Sequence, residues 1–91
     1  METVKTEMKT KIQAMLHEIV ECLVKNKTAV EVTATQAQKT MIFEIVVAEP
    51  DRGKVIGKKG EMAKSLRHIV TSISAANGFR SILEICDVPQ I

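Results

Sequence analysis

The chain has 91 residues, 45% of them apolar and 26% charged, with a formal net charge of +2. That length holds one domain with one modest core, and the composition is that of a soluble globular protein. Phe43 and Phe79 are the only aromatic residues, so the core rests on Ile, Val, Leu and Met, and aromatic stacking platforms are excluded.

In chain order, apolar residues first recur at Met8, Ile12, Met15, Leu16, Ile19, Val20 and Leu23. This spacing predicts an amphipathic helix from about Met8 to Asn26, with Gln13, His17, Glu21 and Lys25 on its polar side. The residues ahead of it read as frayed, which places a frayed N-terminal segment at 1–11 and a single domain at 12–91. A short strand is expected from about Ala29 to Thr35. The polar connection Gln36–Lys39 follows, and then a longer strand from about Thr40 to Ala48. In that second strand Met41, Phe43, Ile45 and Val47 share one face and Ile42, Glu44, Val46 and Ala48 the other. Unless both sheet faces are covered, Ile42 and Val46 leave an apolar patch for a partner.

Pro50-Asp51 breaks the pattern, and a helical turn is expected from about Asp51 to Ile56. Beyond Gly60, the residues Met62, Leu66, Ile69, Val70, Ile73 and Ala76 form one broad arc of a second long helix. Asn77-Gly78 is its stop, since both residues tolerate the left-handed conformation of helix C-termini. Phe79 to Asp87 reads as a last strand. The order is α-β-β-α-α-β.

Between the last two helices lies Gly53-Lys54-Val55-Ile56-Gly57-Lys58-Lys59-Gly60. A Walker A loop is excluded by the spacing Gly53 to Gly57 and by the lack of a hydroxyl after the lysine, and no GxG is present for a dinucleotide site. What remains is a GxxG hinge between helices. Gly57 ends the short helix, Gly60 lets the next one start with bare backbone, and Lys58 and Lys59 add two ammonium groups. Unpaired N–H groups at a helix start, next to cationic side chains, suit anionic oxygens. From Arg52 to Arg67 there are six basic residues against Glu61 alone, a local charge of +5, so the remainder carries −3. Such a focus of charge marks either an anion site or a solvated helix face.

The other candidates are weaker. Cys22 and Cys86 have no framework or metal-ligand spacing and read as reduced, buried thiols. His17 and His68 read as surface histidines, and no nucleophile–base pair or metal cluster can be assembled, so no enzyme is expected. No secretory signal and no membrane-length apolar run is found, which places the chain in the cytoplasm.

Val55-Ile56-Gly57-Lys58-Lys59-Gly60, with Met62, Ala63, Leu66 and Ile69 following in helical register, resembles the KH domain in its bacterial type II arrangement. Together with Val47 to Gly57, it is most similar to the small stand-alone KhpA-type RNA-binding proteins, over roughly Ile12 to Asp87. The resemblance implies an α+β type II KH fold, with a three-stranded mixed sheet and the helices packed on one face. It implies single-stranded RNA as partner, with about four nucleotides held and the GxxG loop against the backbone. Carried over by position, Gly57, Lys58, Lys59 and Gly60 form the clamp, Val55 and Ile56 the groove floor or its packing, and Lys54 its flank. Lys64 and Arg67, one turn apart, extend the positive track by helical spacing. No cofactor or metal is implied. A homodimer or a heterodimer with a Jag-type KH protein is, and the family is associated with RNA chaperoning, cell shape and cell-wall growth. A protein-interaction scaffold and a ribosome-assembly factor are the alternatives. Two departures bear on affinity: Glu61 sets a carboxylate beside the loop, and the short Ala75–Gly78 connection points to a shallow, weakly selective groove.

Overall fold

The computed structural model describes residues 2–88. Helix α1 (Glu2–Leu23) leads through a short 3-10 turn (Lys27–Ala29) into strands β1 (Glu31–Ala37) and β2 (Thr40–Ala48). A second 3-10 turn (Glu49–Asp51) precedes the five-residue α2 (Arg52–Ile56). A third (Lys58–Gly60) joins it to α3 (Glu61–Ala76), and β3 (Arg80–Val88) ends the described chain. The expected order is thus present, in a sheet β1-β2-β3 whose first pair is antiparallel and second pair parallel. The parallel pair needs a long crossover, which α2 and α3 supply.

Local chemistry explains most boundaries. α1 begins at Glu2 instead of near Met8, where the apolar spacing starts, and it ends at Leu23. Ala37 pairs with Thr40, so the hairpin loop is only Gln38-Lys39, shorter than the four polar residues suggested. Gln38 carries the left-handed backbone that such a tight turn requires (φ 54°). α3 ends in a Schellman motif. The Phe79 N–H bonds to the Ser74 carbonyl at 2.8 Å and the Gly78 N–H to Ala75 at 3.1 Å, with Gly78 at φ 82°.

The core is one cluster. Met41, Phe43, Ile45 and Val47 on β2 are fully buried, each stabilising the fold by roughly 1.5–3 kcal/mol relative to exposure. They pack against Ile12, Leu16, Val20 and Val24 at α1, Val55 of α2, Leu66 and Val70 of α3, and Leu83 of β3. The buried stripe of α3 runs through Ala63, Leu66, Val70 and Ser74. It is rotated from the expected arc, leaving Ile69 41% exposed. The helices cover one sheet face only. On the other, Thr35, Ile42 and Ile82 lie side by side, followed by Thr33, Glu44 and Glu84, then Glu31, Val46 and Cys86. Ile82 and Val88 are about half exposed there, so the apolar patch expected around Ile42 and Val46 is present. Cys22 is exposed and Cys86 half-buried, which corrects the expectation of two buried thiols: Cys22 falls just outside the apolar stripe of α1, and Cys86 lies on the uncovered sheet face.

Candidate nucleic-acid interface

The loop is built on three residues with positive φ. Gly57 sits at φ 80°, ψ 173°, a region open essentially to glycine alone. Its N–H closes α2 onto the Gly53 carbonyl at 2.9 Å. A Cβ at Gly57 would lie 2.6 Å from the Met62 Cβ and 2.9 Å from the Met62 N, so α2 can end this close to the start of α3 only with glycine there. Gly60 is left-handed (φ 75°, ψ 11°) but faces open space. Lys59 between them is also left-handed (φ 56°, ψ 23°), an uncommon conformation for a residue with a side chain. Lys58 and Lys59 are both exposed.

No side chain caps α3. The Glu61 N–H already donates to the Lys58 carbonyl. The N–H groups left for an anion are therefore those that follow it in the first turn, beside two exposed ammonium groups and at the positive end of a 16-residue helix dipole. Glu61 is exposed at the first helical position, where its carboxylate complements the dipole. Lys64 is exposed one turn further on.

The remaining predicted residues divide. Val55 is fully buried in the core and Ile56 half-buried, so only Ile56 has surface to offer a groove. Lys54 is paired with Asp51, its Nζ 3.2 Å from Oδ1, and its charge is partly spent within the protein. Arg67 is exposed, and its Nε donates to the Leu83 carbonyl of β3 at 3.3 Å. The structure therefore ties it to the edge strand, whereas helical spacing alone placed it on a phosphate track.

Asp51 is a residue that sequence reasoning missed. Buried to 3% exposure, it accepts the backbone N–H of Asn26 at 2.9 Å and of Lys25 at 3.2 Å, besides Lys54. It staples the segment after α1 to the start of α2 and so fixes the helix that carries the loop. The only signal was an acid in a Glu-Pro-Asp turn directly before a short helix. The Asn26 N–H holds its carboxyl below the ordinary value of 3.8; burial opposes this, and the Lys25 N–H and Lys54 add to it. A carboxylate with a depressed folded value contributes stability above its unfolded value and loses it as pH falls through the folded one. Asp51→Asn is expected to lower the denaturation midpoint at neutral pH and to shrink the loss of stability below pH 3.8. A parallel acid limb in wild type and variant, followed by urea denaturation, would refute the staple.

Glu44, Glu84 and Cys86 also converge, their potential ligand atoms all within 4.8 Å of one another on the open sheet face. The parallel pairing of β2 with β3 unites them, a register that sequence spacing does not reveal. Burial first, and then the Glu44 charge, push the Cys86 thiol up. It stays protonated and points at Glu44 Oε2 at 3.7 Å, a thiol–carboxylate contact within the protein. His17 pairs with Glu21 at 3.2 Å. Among the described residues no helix is long and apolar enough to cross a membrane.

Comparison with known proteins places this geometry. Residues 13–85 match the model of the KhpA/KhpB KH domain. The chain belongs to that family. Its relatives include the RNA-binding protein KhpA of Aquifex aeolicus (strain VF5), 45% identical over 71% of this chain and 82% of the relative. KhpA of Chlamydia pneumoniae is 38% identical over 76% and 88%. The match begins at Gln13, so about three turns of α1 precede it. Among solved structures, Era in complex with MgGDPNP and nucleotides 1506–1542 of 16S ribosomal RNA superposes with a TM-score of 0.61 at 18% identity. The likeness covers 91% of this chain and 32% of that one, so the chain spans about a third of Era and shares its fold over that part. The type II KH fold stands, and the family is one of non-enzymatic domains, so the chain is a binding module and not an enzyme.

Proposed function

We propose that this protein binds single-stranded RNA with low sequence selectivity and acts in the cytoplasm as an RNA chaperone or as part of a regulatory RNA–protein complex. The observation that carries the reading is the loop Gly57–Gly60, which turns Lys58 and Lys59 outward beside the uncapped start of α3. A phosphate there gains two ammonium partners and helix N–H donors at once. Lys64 continues the positive surface, Lys54 contributes what Asp51 leaves of its charge, and Ile56 offers the apolar flank. Relatives at 38–45% identity are named as RNA-binding proteins, which supports the assignment. Phe43 is fully buried and Phe79 half-buried beyond the far end of α3, so no exposed aromatic ring lies beside the loop, which favours grip on the backbone over reading of bases. Control of cell shape and cell-wall growth would then follow from the RNAs held.

The test is a titration of wild-type protein with short single-stranded RNAs at several salt concentrations. With three or four phosphates engaged, the logarithm of affinity should fall against the logarithm of salt with a slope of about −2 to −3. A slope near zero, or no binding at all, rejects the clamp.

The scaffold reading has one observation in its favour. The uncovered sheet face exposes Ile82 and Val88 next to half-buried Ile42 and Val46, a surface on which a second KH chain, of this kind or of the Jag type, would bury apolar area.

A further inference from the structure

We propose that Arg67 is a specificity-determining residue that reads a guanine one or two nucleotides from the loop; this rests on the RNA-binding reading of Gly57–Gly60. Arg67 lies seven residues beyond Gly60, about 10 Å along α3, where that helix packs over β3. Its Nε donates to the Leu83 carbonyl at 3.3 Å. β3 is an edge strand, with β2 on one side and no described strand on the other.

That single bond does two things to the guanidinium. It fixes the plane of a side chain that is otherwise flexible, so less entropy is lost when the group meets a ligand. It also uses one of the five N–H donors and leaves the four on the terminal nitrogens. Those four form the end-on fork, and among the described residues no carboxylate is paired with it. Its geometry matches an acceptor pair such as guanine O6 and N7, the commonest bidentate base contact of arginine. Adenine offers a donor where guanine has O6, and a pyrimidine lacks the pair.

The other guanidinium of the basic stretch, Arg52, is exposed at the start of α2, and among the described residues no hydrogen bond or ion pair fixes its plane. Phe43 is fully buried and Phe79 half-buried beyond the far end of α3. Lys58, Lys59 and Lys64 are point charges that suit phosphate without regard to base. The guanidinium held in place near the clamp is that of Arg67. One fork reads one base, so weak overall selectivity and a preference for guanine at a single position are compatible.

The experiment measures affinities of the whole protein for uridine-rich hexanucleotide RNAs that carry one guanine, inosine, 7-deazaguanine or adenine. Inosine keeps O6 and N7; 7-deazaguanine lacks N7. Wild type should bind the guanine and inosine RNAs at least about fivefold more tightly than the adenine RNA, the lower end for a bidentate contact. The 7-deazaguanine RNA should lose most of that advantage. Arg67→Lys keeps the charge and removes the fork, and its guanine-to-adenine ratio should fall to within about twofold while the salt slope stays that of wild type. Circular dichroism and urea denaturation establish that the variant is folded. A wild type that binds all four RNAs equally, or an Arg67→Lys variant that keeps the guanine preference, overturns the assignment and leaves the clamp standing. A wild type that binds none of them overturns both.

Discussion

Lys58→Asp combined with Lys59→Asp should reduce affinity for short single-stranded RNA by more than about a hundredfold at 0.1 M salt while the protein stays folded. The magnitude follows from counterion release. Each phosphate contact on a single strand contributes about 0.7 of a slope unit, so two lost contacts cost about 25-fold at 0.1 M. Two carboxylates placed where phosphates approach add repulsion. Both side chains are exposed and neither has an ion-pair partner among the described residues, so stability should change by no more than about 0.5 kcal/mol. The slope of log affinity against log salt should flatten by about 1.4. RNA affinity within a factor of three of wild type would move the anion site away from the loop. Lost affinity with a collapsed denaturation midpoint would instead give the lysines a structural role.

Much of this site was legible in the sequence because its parts are local. The GxxG pattern, the short helix before it and the +5 stretch all lie within sixteen consecutive residues, and periodicity places the long helix that follows. β2 was legible for the same reason: strict alternation from Thr40 to Ala48 fixed both its limits and its buried face. What stayed hidden depends on contacts between distant segments. Asp51 reads as a turn residue until the chain brings Lys25 and Asn26 within hydrogen-bond reach. Arg67 reads as one more cation until β3 supplies the Leu83 carbonyl. The approach of Glu44 to Glu84 and Cys86 depends on the parallel register of β2 and β3, which no local pattern encodes. The stripe of α3 departs from the expected arc because Ile69 scores as core by type, whereas packing buries Ala63 and Ser74 beside Leu66 and Val70, which the arc already held. Cys22 was misjudged on residue type in the same way.

Gly57→Ala should destabilise the fold by about 3 kcal/mol, and Gly60→Ala by only about 1 kcal/mol, although the two glycines look equivalent in the motif. At Gly60 the backbone is left-handed and a methyl group would meet nothing within 4 Å, so the cost is the conformational penalty alone, about 1 kcal/mol. At Gly57 two penalties combine. The backbone at φ 80°, ψ 173° is one that an L-residue reaches only with about 1–3 kcal/mol of strain. The added Cβ would also lie 2.6 Å from the Met62 Cβ and 2.9 Å from its backbone nitrogen. Backbone cannot rotate away as a side-chain tip can, so α3 must slide and repack Ala63 and Leu66, at a further cost of about 1–3 kcal/mol. A domain of this size has roughly 5–13 kcal/mol in total, so Gly57→Ala still folds at room temperature with a clearly lowered midpoint. Urea denaturation of the two single variants at equal m-value measures the difference directly. Equal costs at the two positions would mean that α2 and α3 are not held in the close approach around Met62. RNA affinity separates the same two variants in a second way: a shifted α3 carries Lys64 and Arg67 with it, so Gly57→Ala should weaken binding further than Gly60→Ala even where both proteins are fully folded.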